Sequence, residues 1–145
     1  YSAWVERKMV FPIVATAPLN NPDMPEEVRA LYLEAREVSD RSVRAACALL
    51  RLAAAQLCAS VKAEGETLDE QIAWLTEQGL PKRVEHALAS VRVIGERAVV
   101  PGLVIADDTD QVAQTLFLLV NLMTESLISS ARMVDEVYAH LPKSA

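Results

Sequence analysis

Residues 43–61 read VRAACALLRLAAAQLCASV, and this stretch decides the fold. Alanine and leucine dominate it, and few of its positions are clearly polar, so it predicts a helix that is apolar on nearly every side. Residues 116–123, LFLLVNLM, have the same character. Because helices of this kind must be covered by other helices, the two stretches predict an all-α helix bundle.

The composition agrees with this prediction and limits the possible functions. The chain has 145 residues, of which 5% are aromatic and only 4 are glycine, which favours helices over a β-sandwich or barrel. Its length suits one domain. The net charge of −6 disfavours a protein that coats nucleic acid, although it leaves room for a local basic patch.

Two further patterns predict a cytoplasmic protein without a membrane span. The first residues contain no apolar signal-peptide core, and the longest apolar run, Leu116–Val120, is far shorter than the roughly 20 residues of a membrane span. Cys47 and Cys58 lie eleven residues apart on one predicted helix, about 16 Å along its axis. That distance excludes a disulfide, so we expect two buried, reduced thiols.

Capping and proline signals place the other helices on both sides of the first stretch. Thr67 to Glu70 matches a capping box, and Pro81 suits the first turn of a helix. Four prolines before residue 26 predict an extended arm over residues 1–24, ahead of one helical domain over residues 25–145. We expect the arm to be anchored by Trp4, Val10, Phe11 and Ile13. The predicted helices cover residues 25–38, 42–63, 68–79, 81–100, 110–129 and 133–141.

The apolar helix at residues 110–129 has two interpretations. Either it runs through the middle of the bundle, or it lends one face to a two-fold homodimer. The residues that we take as candidates for the homodimer interface are Leu116, Phe117, Leu119, Val120 and Met123.

Basic residues are unevenly distributed along the chain. Arg44 and Arg51 are seven residues apart and so lie on nearly the same side of their helix. With Arg92 and Arg97 they are candidates for a basic groove that binds the phosphates of RNA or a nucleotide. The alternative is that these arginines only form ion pairs, with Glu34, Glu37 or Glu85.

Few residues are placed for catalysis or for binding a metal. The two histidines, His86 and His140, belong to no motif with metal-ligand spacing, and the four glycines are isolated. We therefore predict no metal and no cofactor. The acidic residues at 107–110 are interpreted as a solvated helix start rather than a cation site.

Several segments together resemble a known prokaryotic family. Residues 24–35, 42–53, 91–102 and 134–142 read MPEEVRALYLEA, SVRAACALLRLA, VRVIGERAVVPG and VDEVYAHLP. In order and spacing they resemble the family called domain of unknown function 4145, which belongs to the HEPN-like helical domains. The resemblance covers essentially the whole chain.

The resemblance implies an all-α, compact antiparallel helix bundle of five to six helices that often dimerises and is often linked to restriction, toxin and phage-defence systems. Active HEPN members are metal-independent RNases that place an arginine and a histidine across a dimer cleft. The family pattern after the fourth-helix glycine is roughly Gly-Asn-x-x-x-His-Pro-Gly. In this chain Gly95 is followed by Glu96 and Arg97, and Val100 stands at the histidine position. Because valine transfers no proton, we assign no catalytic residue.

We therefore predict a non-catalytic HEPN-like interaction module, dimeric, that binds a protein partner or nucleic acid in a defence or counter-defence setting. Two alternatives remain open. One is a metal-independent RNase with an atypical acid–base pair, such as Arg97 with Glu96 or His86. The other is a nucleotide-binding domain with an arginine-lined cleft. The resemblance also implies a cysteine-rich zinc-binding segment ahead of Tyr1.

Overall fold

The computed structural model describes residues 17–142, and this part of the chain is all-α. Its six α-helices are α1 (Glu26–Val38), α2 (Val43–Ser60), α3 (Leu68–Gln78), α4 (Lys82–Ser90), α5 (Asp110–Thr124) and α6 (Ser130–His140). A π-helical segment, Glu125–Ser129, joins α5 to α6 without a break. The predicted anchors of the arm at residues 1–16 lie outside the described residues.

Local sequence signals explain where most helices begin. The hydroxyl of Ser42 accepts the backbone N–H of Ala45 at the start of α2 (3.1 Å). The predicted helix start is confirmed, since the Thr67 hydroxyl accepts the N–H of Glu70 at 3.1 Å; the Glu70 carboxylate accepts the N–H of Glu66 at 2.8 Å, one residue before the position of a full capping box. Two acids, Glu26 and Glu27, occupy the first turn of α1, where the helix dipole favours negative charge.

Helix α2 lies at the centre of the bundle and packs against α1 and α5. Tyr32 of α1 meets Phe117 of α5 edge to face, with ring centroids 5.2 Å apart. The core-facing sides of α1, α2 and α5 are thereby covered within one chain. Two helical stretches of the described residues, Val43–Ser60 and Asp110–His140, are long and apolar enough to cross a membrane. The first is half buried in the bundle, and a core helix meets the same criterion.

The prediction that the fourth helix reaches residue 100 is wrong, because α4 ends at Ser90. Arg92 adopts a left-handed conformation (φ 68°), and the N–H of Val93 bonds back to the carbonyl of Leu88 at 2.9 Å. Together with the bond from Arg92 N–H to the Ala89 carbonyl, this is the Schellman motif that ends helices. Glycine usually adopts this left-handed conformation at a helix end. A helix that ends at an arginine is therefore missed when glycine is taken as the sign of a helix end.

The prediction of two separate helices at the C-terminus is also wrong. The chain stays helical from Asp110 to His140, and the π turn absorbs an additional residue in place of a loop. Helix α6 contacts little besides this π segment, so it extends beyond the bundle. At its base Asp23 accepts hydrogen bonds from Ser129 (2.7 Å) and Arg132 (2.8 Å).

Residues 17–25 run as an irregular segment along the bundle. The Tyr32 hydroxyl donates to the Pro18 carbonyl (2.6 Å), and the Asn121 side chain bonds to both Leu19 and Asn21. Met24 is buried in the core. This segment is thus held by α1 and α5 through its backbone rather than by strand pairing.

Candidate functional site

A cleft of about 390 Å³ lies where the end of α4 and the loop after it meet α2 and the start of α5. It contains the Gly95-Glu96-Arg97 segment singled out in the sequence, and three arginines line it: Arg51, Arg92 and Arg97. The structure therefore brings together three of the four predicted ligand-binding arginines. Arg44 is exposed on α2 and does not line the cleft, which corrects the prediction of a groove that includes it.

The Arg51 side chain is buried and is bonded to other residues of the protein. Its guanidinium binds both carboxylate oxygens of Asp108 at 2.7 Å, and its Nε donates to the Val91 carbonyl at 3.1 Å. The two side chains are only 1% and 3% exposed. A guanidinium held in this two-pronged way has little capacity left for a phosphate, so the prediction of Arg51 as a ligand-binding residue is corrected.

The alternative that these arginines form ion pairs is closer to the structure, but with different partners. The predicted partners were glutamates, whereas Arg51 and Arg92 pair with Asp108 and Asp107. The interpretation of residues 107–110 as a solvated helix start is therefore wrong for Asp108. Thr109 is the N-cap, since its hydroxyl accepts the N–H of Val112. In the sequence, two aspartates precede the N-cap residue. Nothing in the neighbouring residues indicates that Asp108 pairs with Arg51, because the two are 57 residues apart.

Arg92 organises the loop between α4 and α5. Its Nε donates to the Arg97 carbonyl (3.1 Å), and its guanidinium pairs with Asp107 (3.3 Å). Its own carbonyl accepts the N–H of Val99 at 3.1 Å. Arg92 thus holds the loop together, and its guanidinium is largely occupied by bonds to other atoms of the protein.

The residues at the positions singled out by the family resemblance are exposed. Glu96 and Arg97 lie at the cleft, whereas Val100 is 69% exposed and is not part of its lining. Gly95, with a φ of 95°, donates its N–H to the carboxylate of Asp69 (2.9 Å). A backbone N–H that would suit an anion is therefore already bonded to an acid.

The charges of the cleft cancel. Arg51, Arg92 and Arg97 are matched by three acids of the same lining: Glu96, Asp107 and Asp108. The residues that line this cleft include no histidine and no cysteine. Within residues 17–142, His, Cys, Asp and Glu form no group of three suited to a metal ion. The described cleft therefore lacks the side chains that transfer protons most readily near neutral pH.

The two cysteines lie in the core. Burial raises the pKa of the Cys47 thiol and of the Cys58 thiol to about 12. Both thiols thus stay protonated and poorly nucleophilic at neutral pH.

The interface candidates on α5 also occupy core positions. Each is at most 4% exposed within one chain: Leu116, Phe117, Leu119, Val120 and Met123. Their positions fit the alternative of a central helix, because α5 packs this face on α2. As a correction to the interface prediction, any contact with a partner through α5 would use its other face, where Leu118 and Leu122 are exposed.

The sequence reasoning missed an apolar surface on α6, which we call the α6 stripe. Five large apolar side chains, each 50–73% exposed, line one side of this projecting helix: Met133, Val134, Val137, Tyr138 and Leu141. They border a shallow groove of about 480 Å³. The spacing of three and four residues in this set was visible in the sequence, but it also fits an ordinary core-facing helix.

Comparison with known proteins defines the class of this chain. It is an all-helical domain, and residues 33–143 match the family model described as "Domain of unknown function (DUF4145)". The match spans most of the chain, so this protein belongs to that family. No curated protein and no solved structure matches the chain.

Proposed function

We propose that this chain is a non-catalytic interaction module that binds a protein partner through the α6 stripe. The observation that carries the proposal is the contrast between this stripe and the cleft. The stripe exposes five large apolar side chains, whereas two of the three arginines of the cleft, Arg51 and Arg92, are paired with its own acids. Contiguous exposed apolar surface of this kind marks binding sites.

The resemblance to HEPN-like domains supports the non-catalytic part of the proposal. An RNase of that kind needs a group that transfers a proton at the 2′-hydroxyl. Val100 stands where the resemblance implies this histidine, and it faces solvent outside the cleft. Membership of the HEPN-like superfamily, a cytoplasmic location and a role in prokaryotic or phage defence are parts of the same proposal.

Charge favours a protein partner over RNA. Nucleic-acid binding draws its affinity from lysines and arginines that neutralise phosphates. The whole chain carries a charge of −6, and the cleft carries equal numbers of arginines and acids. Near the stripe, Asp135 and Glu136 add negative charge, while Arg132 is paired with Asp23 and Glu136.

The first experiment tests for RNA chemistry. The purified chain is incubated with mixed-sequence single-stranded RNA in EDTA, and both cleavage and gel shift are recorded. We expect intact, unshifted RNA. Cleavage that disappears in Arg97→Ala would establish an RNase with an atypical acid–base pair, and a shift without cleavage would assign binding to the cleft. Either result would contradict the proposal.

The second experiment tests the stripe directly. A photo-crosslinking p-benzoylphenylalanine replaces Val137 in one variant and Ala139 in the matched control, in the organism's own cells or in an expression host that contains the neighbouring genes. We expect discrete protein adducts at position 137, identified by mass spectrometry, and few at 139. No adducts at position 137, or adducts removed by ribonuclease, would overturn the proposal.

A further inference from the structure

The α6 stripe is the outer part of a longer surface. Leu118 and Leu122 of α5 are 54% and 49% exposed, and they lie on the side of α5 that faces away from the core. Because the chain stays helical from Asp110 to His140, these two leucines and the α6 stripe belong to one uninterrupted helix. From Leu118 to Leu141 the surface extends for about 35 Å.

An exposed carboxylate lies between the two apolar parts of this surface. Glu125 follows Leu122 by three residues and Leu118 by seven, which places the three side chains on the same side of the helix. The additional residue in the π turn then rotates α6 back by about 100°, so Val137 stays close to the line of Leu122 and Glu125. We call Leu118, Leu122, Glu125 and the α6 stripe together the α5–α6 face.

The charged residues of this helix are mostly acidic. From Asp110 to His140 the chain has four acids and one arginine. That arginine, Arg132, donates hydrogen bonds to Asp23 at 2.8 Å and to Glu136 at 3.2 Å. Among residues 17–142, no basic side chain pairs with Glu125. The α5–α6 face therefore carries unneutralised negative charge beside its apolar side chains.

This negative charge distinguishes between the candidate occupants of the face. A second copy bound along it would bring acids close to acids, and like charges that meet across an interface reduce its affinity. RNA and the anionic headgroups of a membrane also carry negative charge, so both would be repelled. A partner with lysine or arginine next to its apolar side chains is attracted by both parts of the surface.

We infer that the partner of this module is a different protein that presents an amphipathic helix, with an apolar line interrupted near its middle by a lysine or arginine that pairs with Glu125. This inference rests on the proposed function, since it names the chemistry of the partner that binds the same surface. A single helix suits the face, because the face is itself one side of a helix and its length of about 35 Å corresponds to roughly 23 residues. Such docking uses apolar residues at spacings of three and four.

Synthetic helical peptides test this inference with defined probes. Each has about 24 residues, with leucines at spacings of three and four along one side and alanines elsewhere. The basic peptide has a lysine in the middle of the leucine line and further lysines beside the line, and the acidic peptide has glutamates at all these positions. Fluorescence anisotropy of the labelled peptides with the purified chain should show saturable binding of the basic peptide at micromolar concentration and no binding of the acidic peptide.

Charge variants of the chain test the position of the ion pair. Glu125→Lys should raise the dissociation constant of the basic peptide about tenfold. The matched control is Glu77→Lys, because Glu77 is exposed on α3 and the change in net charge is the same. The control should change the constant by about twofold or less. A third peptide, in which only the central lysine is replaced by glutamate, should bind Glu125→Lys more tightly than the wild-type chain.

Apolar variants test the α6 stripe. Val137→Ser replaces apolar surface in the contact with a hydroxyl, so it should raise the dissociation constant of the basic peptide about tenfold. Ala139→Ser, on the same exposed helix but outside the stripe, should leave the constant nearly unchanged. Circular dichroism of the variants checks that each one folds.

The outcomes separate this inference from the proposed function. The inference would be overturned if the basic peptide did not bind, if both peptides bound equally, or if Glu125→Lys and Glu77→Lys had the same effect. A dimer of the chain alone that dissociates in Val137→Ser would place a second copy on the face and also overturn the inference. In each of these cases, protein adducts at position 137 would still support the interaction module. The absence of such adducts would overturn the proposed function and the inference with it.

Discussion

The cleft and the projecting helix α6 differ in whether their side chains find partners within the protein. At the cleft, Arg51 and Arg92 are bonded to Asp108, Asp107 and nearby carbonyls. On α6, the stripe is exposed and no described residue covers it. Charged residues that bond to each other have little capacity left for a ligand, whereas covering apolar surface that is exposed to water is favourable in free energy. The proposed function therefore rests on the uncovered apolar surface rather than on the residues at the motif positions.

The largest expected loss of stability comes from breaking the buried ion pair at the cleft. Arg51→Ala or Asp108→Ala leaves one charge buried without its partner, and we expect each to lower the free energy of unfolding by about 3–5 kcal/mol. Urea denaturation measures the loss. The double variant Arg51→Met with Asp108→Leu should cost much less than the sum of the single variants, because no charge remains buried. As a control, Arg97→Ala at the exposed side should change stability by about 0.5 kcal/mol or less.

The next prediction compares the two faces of α5. Leu116→Ala opens a cavity in the core and should cost about 2–5 kcal/mol. Leu118→Ala, two residues away on the outer face, should cost about 0.5 kcal/mol or less in dilute protein, where no partner covers it. Thermal or urea unfolding at low concentration distinguishes them. Similar losses for both variants would contradict the assignment of the core face.

A smaller effect concerns the left-handed residue that ends α4. Arg92→Ala loses the side-chain bonds to Asp107 and Arg97 and keeps an unfavourable backbone conformation. Arg92→Gly loses the same bonds but adopts this conformation freely. We therefore expect the glycine variant to be more stable than the alanine variant by about 1 kcal/mol, as measured by chemical denaturation. The opposite order would show that backbone strain at residue 92 is unimportant.

The smallest effect concerns the base of α6. The hydrogen bond from Ser129, followed by that from Arg132, lowers the pKa of Asp23 below its ordinary value of 3.8. A carboxyl with a lowered pKa in the folded state stabilises that state above its unfolded pKa and loses this contribution as pH falls through the folded value. An NMR titration should give a midpoint below 3.8. The stability difference between wild type and Asp23→Asn should be present at pH 7 and shrink at the acidic end, and a pH-independent difference would contradict this.

Local patterns in the sequence were sufficient for the all-α class and for most helix starts. Ser42, Thr67 and Thr109 cap helices that begin where local chemistry predicts. The apolar stretch at residues 43–61 became the central helix of the core. These features depend on a few neighbouring residues, because capping and amphipathic spacing act within one or two turns.

Tertiary structure decided the cleft and the exposed surface. Arg51 has the same local sequence whether its guanidinium faces a phosphate or Asp108, and only the packing of distant segments chose the second. The apolar spacing of α6 would suit a core helix equally well, but in the tertiary structure this helix extends beyond the bundle. Sequence determines which residues are able to pair or to be buried, whereas the three-dimensional arrangement determines which of them find a partner within the chain.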